Sequence, residues 1–348
     1  MTTLSEPLDG LRRWMGAGFD LAGLGPEVTP SQTVMAAPGI TLRRYSAATA
    51  PGPTLLIVPA PIKRAYIWDL LPSVSVVRRA LAGGLSVYLI EWERPCGRAQ
   101  SFGLAEYAGR MILDGLDAIA REQGTGPVFL AGHSLGGTLA ALFAALHPER
   151  LKGLILLSTP LHFGAGTLDR LVALMPPALP GLVAATGPIG GSLLSLGALL
   201  ADPWSFGWER WLGGLHSLRD RRTLRTFLAV ERWTYDEMPM APRLFREVVE
   251  ELYQSDRFMQ GTLSIDSRPV TPRHIRAPVL SVIDPYCLVV PPPAVLPFHR
   301  ALAHPETVIL RYAGDSGVAL RHVSMLVGEH AHRSLWPKIL RWIHAHGD

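Results

Sequence analysis

The chain has 348 residues, 48% of them apolar and 18% charged, with a formal net charge of +4. That composition describes a large packed core and excludes a disordered chain. The basic residues are nearly all arginine and are scattered along the sequence, which excludes a nucleic-acid footprint and leaves a surface mildly attractive to CoA or other anions. Two cysteines, Cys96 and Cys287, give neither a disulfide framework nor a metal-ligand spacing, as expected of a reducing cytoplasm.

Residues 1–38 read as an N-terminal arm. It lacks the basic-then-apolar pattern of a secretory signal, and its amphipathic stretch offers Leu11, Trp14 and Met15 as anchors. Residues 39–45 read as an edge strand and residues 54–58 as a short, fully apolar one. The loop 59–68 leads into a helix ending near Gly83-Gly84, and residues 85–90 form the next strand. Helical spacing follows over 104–121, then a strand over 128–132, a helix over 138–146 and a strand over 151–158. Short apolar strands alternating with helices predict an α/β protein, a mostly parallel sheet covered by helices on both faces.

The alternation stops near Phe163 and resumes at Pro278. Residues 39–163 and 277–348 are therefore expected to form the core, and 164–276 a helical cap insertion. The longest uncharged run, 171–201, lies in this cap. Pro176, Pro177, Pro180 and Pro188 within it are incompatible with a straight membrane-spanning helix. Residues 307–312 read as the last strand and 329–344 as the last helix.

Between the strand at 128–132 and the helix that follows sits Gly132-His133-Ser134-Leu135-Gly136. G-x-S-x-G in a strand–turn–helix context is the nucleophile elbow of α/β-hydrolases. Ser134 must project from a tight turn, and glycine two positions either side removes side chains that would collide there. The base of such a site belongs between the last strand and the last helix, where His322 stands. Two carboxylates are candidates for the triad acid. Asp284 ends the strand at 279–283 and is better placed, while Asp315 is nearer to His322 in sequence. An oxyanion needs two backbone N–H groups. One is that of Leu135, and the other comes from Ala60 or, by preference, Ile62, because Pro59 and Pro61 have none. His133 reads as packing at the elbow. His330 and His332, like His344 and His346, are two apart on a helix and read as solvated residues rather than metal ligands. Neither a metal nor a cofactor is expected.

The chain resembles the poly(3-hydroxyalkanoate) synthases, in particular the short class that works with a second subunit. The likeness covers residues 40–345. It is carried by LLIVPAPIKRAYIWDL, SVYLIEW, AGHSLGGTLAALFAALHPERLKGLILLSTPLHF, the cap segment FLAVERWTYDEMPMAPRLFREVVEELYQSDRFMQG, and HVSMLVG with LWPKILRWI. The resemblance implies the fold, the cap, an acyl substrate such as a hydroxyacyl-CoA, and a hydroxyalkanoate polymer surface, a partner subunit or a homodimer as partners. Two departures stand out. The synthases carry cysteine at the elbow, where this chain has Ser134. Their catalytic aspartate falls, in a gap-free match, on Cys287, with Asp284 three residues earlier. A seryl ester is a less activated acyl carrier than a thioester, and water commonly resolves it. The sequence therefore reads as a cytoplasmic serine hydrolase cleaving an ester or thioester through Ser134, His322 and Asp284. The alternatives are a synthase-like acyltransferase using hydroxyacyl-CoA and a non-catalytic partner protein.

Overall fold

The computed structural model describes residues 6–45, 52–124, 126–303, 306–315 and 317–347. The stretch at residues 1–5 lies outside them. After helix α1 (Glu6–Leu21) come strands β1 (Gln32–Ala37), β2 (Ile40–Tyr45) and β3 (Thr54–Val58), helix α2 (Val76–Ala82), β4 (Ser86–Trp92), α3 (Met111–Gln123), β5 (Val128–His133), α4 (Leu135–Leu146) and β6 (Leu151–Leu157). The insertion that follows holds α5 (Thr167–Ala173), α6 (Leu179–Ala185), α7 (Gly191–Ala201), α8 (Glu209–Ser217), α9 (Arg221–Thr234), α10 (Pro242–Glu247) and α11 (Arg257–Gln260). A hairpin of β7 (Leu263–Ile265) and β8 (Arg268–Val270) closes it. The chain ends with β9 (Val279–Ile283), α12 (Leu296–Ala301), β10 (Thr307–Arg311), α13 (Ser324–Val327) and α14 (Trp336–Ala345).

Eight strands form one sheet in the order β1-β2-β4-β3-β5-β6-β9-β10. β1–β2 and β2–β4 are antiparallel and all other pairs parallel. Alternation within the strands sends Leu56, Val58, Leu130 and Leu154 to one face, against α3 and α4. Leu55, Ile57, Phe129 and Ile155 go to the other, against α2, α13 and α14. Both faces are thus covered, as the alternation of strands and helices predicts. β1 and the β7–β8 hairpin are additions to the sequence reading: β1 lies inside the stretch taken as an arm, and the hairpin inside the stretch taken as helical.

The uncharged run at 171–201 is broken near its prolines into the end of α5, then α6 and α7. Among the described residues no helix is long and apolar enough to cross a membrane. Leu174, Leu182, Leu196, Leu200, Trp204, Trp208 and Trp211 of the insertion are all exposed.

The arm is anchored by different residues from those expected. Leu11, Trp14 and Met15 face solvent. Arg12 instead donates to the Thr234 carbonyl at 2.8 Å and pairs with Glu237 at 3.0 Å. Asp20 accepts both Nε and Nη2 of Arg232 at 2.8 Å, beside the buried Gly16. The insertion offers α1 a charged surface, so the helix turns its polar face inward.

Candidate active site

β5 ends at His133 and α4 opens at Leu135, which leaves Ser134 alone in the turn. Its φ of 53° and ψ of −134° lie in a region that a non-glycine residue occupies only when its surroundings hold it there. The Ser134 N–H donates to the Leu157 carbonyl at 3.0 Å, and the Ser134 carbonyl accepts from Gly137 at 2.9 Å. A Cβ at Gly132 would stand 2.5 Å from Gly137 Cα, and one at Gly136 2.5 Å from the Pro59 carbonyl carbon. Backbone approaches backbone at both positions, so both must be glycine. Leu135 is the first residue of α4, where N–H groups have no partner inside the helix.

Ile62 lies in the loop after β3. That loop is fastened to the insertion: the Met238 N–H donates to the Ile62 carbonyl at 3.2 Å, Lys63 forms an isolated β-bridge with Glu237, and Trp233 Nε1 donates to the Arg64 carbonyl at 2.8 Å. Lys63 Nζ donates to Glu237 at 2.9 Å and to the Thr234 carbonyl at 2.6 Å. Burial pushes its ammonium down to about 8, against the pull of Glu237. Both sides of this junction lie in segments that carry the resemblance, but nothing in either segment signals their contact.

His322 sits in the turn Arg321–Val323 before α13. His133 Nε2 donates to the His322 carbonyl at 2.8 Å, and the two rings lie 4.6 Å apart, tilted by 47°. A carbonyl only accepts, so the proton of His133 is on Nε2. Burial pushes His133 down to about 4, with the hydrogen bond opposing. It pushes His322 well below the ordinary histidine range, helped by His133. The imidazole of His322 is therefore neutral. Its Nε2 is buried and has no hydrogen-bond partner among the described residues. Its Nδ1 lies 3.4 Å from Ser158 Oγ and 3.6 Å from Cys287 Sγ.

The two carboxylates expected as triad acid are bound elsewhere. Asp284 is buried at the end of β9, but it accepts Nε and Nη2 of Arg321 at 2.6 and 3.0 Å and the N–H of Tyr286 at 2.9 Å. A guanidinium offers a fork of donors matched to a carboxylate, and Arg321 thereby draws Asp284 off the imidazole of the next residue. Asp315 accepts from the Tyr312 hydroxyl and from the N–H groups of His330 and Ala331 at 3.2 and 3.3 Å. The place behind His322 falls instead to Cys287, in a turn closed by its N–H on the Asp284 carbonyl at 3.3 Å. Cys287 Sγ accepts from Val290 N–H at 3.4 Å, and burial pushes the thiol up to about 11, which keeps it neutral. Ser158, the second neighbour, follows β6 with a φ of 41°. The gap-free match had pointed to Cys287. Ser158 had no signal beyond closing an apolar strand. His332, read as solvated, is buried, and its Nε2 donates to the Leu326 carbonyl at 2.8 Å. Among the described residues no three His, Cys, Asp or Glu side chains are grouped so as to hold a metal ion.

Sheet, elbow and histidine loop define a protein of the α/β-hydrolase fold, and a family model described as alpha/beta hydrolase fold matches residues 97–211. The chain is similar over most of its length to poly(3-hydroxyalkanoate) polymerase subunits PhaC. It is 28% identical to that of Haloferax mediterranei over 318 residues, 90% of this chain and 63% of that protein. It is 28% identical to that of Allochromatium vinosum, covering 97% of this chain and 96% of that protein. The chain thus spans less than two thirds of the Haloferax relative and nearly all of the Allochromatium one. Among solved structures, a putative lipase from Sulfolobus solfataricus superposes with a TM-score of 0.59 at 17% identity, covering 90% of this chain and 93% of that one. The monoacylglycerol lipase of Paleococcus ferrophilus does so with 0.54 at 16%, covering 88% and 99%. At such identities these two structures speak for the fold alone.

Proposed function

We propose that the chain is an acyltransferase that carries its acyl group on Ser134, taken from a hydroxyacyl thioester. The observation that carries this reading is the buried Nε2 of His322, without a partner among the described residues, in a loop bonded to the elbow of a strained serine. In the first half-reaction Ser134 Oγ bonds to the acyl carbon and its proton passes to His322 Nε2. The carbon–sulfur bond then breaks, and the proton leaves with the thiolate. The oxyanion formed on the way is met by the N–H groups of Leu135 and Ile62. In the second half-reaction an acceptor hydroxyl gives its proton to Nε2 and attacks the ester. The Ser134 Oγ–carbon bond breaks, and Oγ recovers a proton.

Similarity to the PhaC subunits along 97% of the chain supports the hydroxyl of another hydroxyacyl group as the acceptor. One observation favours a second reading, in which the acceptor is water. Ser134 holds the acyl group as an oxyester, which is less activated toward a further alcohol than a thioester is. Product analysis on 3-hydroxybutyryl-CoA, for the wild type and Ser134→Ala side by side, decides. Oligomer together with CoA release, both lost in the variant, is the expected result. Free acid alone selects hydrolysis, and CoA release that survives Ser134→Ala overturns the reading.

A further inference from the structure

His322 Nδ1 faces the ends of two neighbouring strands, β6 and β9, and each delivers a neutral group to it: Ser158 Oγ at 3.4 Å and Cys287 Sγ at 3.6 Å. Both residues are at least nine-tenths buried. The charged groups around the imidazole are accounted for elsewhere. Asp284 and Arg321 satisfy each other beside it, Glu209 of the insertion contributes its charge toward that pair, and Asp315 is held by Tyr312 and backbone N–H groups. His133 presents a neutral ring to the other side.

We propose that Ser158 and Cys287 together are the positioning residues of His322, standing where an acyl-transfer triad has its carboxylate, and that this neutral backing holds acyl transfer through Ser134 to a slow rate. The proposal rests on Ser134 being the nucleophile and His322 its base. A carboxylate only accepts, so it fixes the proton on Nδ1 and leaves Nε2 free as the base. It also stabilises the imidazolium formed in each half-reaction. A hydroxyl and a thiol both donate and accept. They admit the opposite tautomer, in which Nε2 carries the proton and cannot take one from Ser134, and they lend the imidazolium no anion. In a serine-protease triad, replacing the acid by a neutral group costs about 10⁴-fold in kcat through this tautomer effect. The same arrangement slows water and any other acceptor alike, so an acyl group placed on Ser134 leaves it slowly in either reading.

The test has two parts, both on the full chain. The first is nitrogen NMR of the imidazoles in the wild type, with His322 assigned by loss of its signals in His322→Gln. A ring that stays neutral below the ordinary histidine range, with Nε2 protonated in part of the population, is expected. An imidazolium at neutral pH, or a ring protonated on Nδ1 alone, overturns the proposal. The second is the rate at which a fluorophosphonate labels Ser134 in the wild type, Cys287→Asp and Ser158→Asp. An anion supplied from either strand end should speed labelling by 10²-fold or more and move its pH dependence toward the ordinary histidine range. A folded variant whose His322 titrates near neutrality while labelling stays at the wild-type rate overturns the proposal, and if neither variant folds the wild-type spectrum decides. Absence of labelling in every protein refutes the Ser134 reading instead, and the NMR result separates that failure from a failure of the His322 assignment.

Discussion

His133, the residue before the elbow serine, donates a 2.8 Å hydrogen bond to the backbone carbonyl of His322 and lies ring against ring with it. The elbow turn and the His322 loop come from segments 189 residues apart, and this contact joins them directly. His133→Ala should leave substrate binding intact while the base drifts from the elbow. A fall in kcat on the order of 10²-fold with KM little changed is expected, since a displacement of about 1 Å costs that much. Steady-state kinetics at neutral pH check it, and an unchanged kcat would show that the loop is held without His133.

Four histidines, buried or partly buried, make the fold acid-sensitive. His133, His299 and His332 are each pushed down to about 4 by burial, and His322 well below its ordinary value. The unfolded chain takes up these protons near pH 6.5, while His133, His299 and His332 of the folded chain resist until about 4. In that window the unfolded state binds more protons, so stability is full above about pH 6.5 and falls as the pH drops. The slope is at most about 1.4 kcal/mol per pH unit for each enclosed histidine. Thermal melts between pH 7.5 and 4 in steps of about half a unit should show Tm declining through the window, and a flat Tm would refute it.

Glu237 is the shared acceptor of a buried junction. Arg12 of α1, Lys63 of the loop carrying Ile62, and Ser192 and Ser195 of α7 all bind its carboxylate. Its side chain is 5% exposed. Glu237→Gln leaves two partly buried cations without that counter-charge, at an expected cost of up to about 3–5 kcal/mol, the figure for a fully buried pair. Urea unfolding measures that loss. Because Lys63 adjoins Ile62, labelling of Ser134 should slow as well, in folded protein at low temperature.

Asp284→Asn separates a structural carboxylate from a catalytic one. The Arg321 pair is weakened and the protein should melt earlier, yet the environment of His322 Nδ1 stays as it was. Acyl transfer at a temperature where the variant is folded should remain within about tenfold of wild type, whereas loss of a triad acid costs about 10⁴-fold. A loss of that size in folded protein would return Asp284 to the triad.

Two glycine substitutions contrast in sign. Gly136→Ala places a Cβ against the backbone at Pro59 and Val58, which cannot give way. Soluble protein, or at least labelling of Ser134, should be lost. Gly18, inside α1, has open space where its Cβ would stand, and Gly18→Ala should stabilise the helix by about 0.5–1 kcal/mol. Expression and melting of the two variants in parallel check both.

The sequence by itself determined whatever local chemistry enforces. The period-2 and fully apolar strands fix a sheet buried on both faces. G-x-S-x-G between strand and helix fixes a turn that only glycine at 132 and 136 permits, and the place of His322 between the last strand and the last helix makes it the candidate base. What it could not determine is which of several polar groups, close in sequence, points at a given atom. Asp284 and Cys287 are three residues apart, and the choice between them rests on Arg321, whose guanidinium binds the carboxylate more strongly than a neutral imidazole would. Ser158 reaches His322 only because β6 and β9 are neighbours in the sheet. The arm likewise shows an amphipathic pattern, but which face turns inward depends on the charges of Glu237 and Arg232, far along the chain. Tertiary structure decided these points because each is a competition among partners that the fold alone brings within hydrogen-bonding reach.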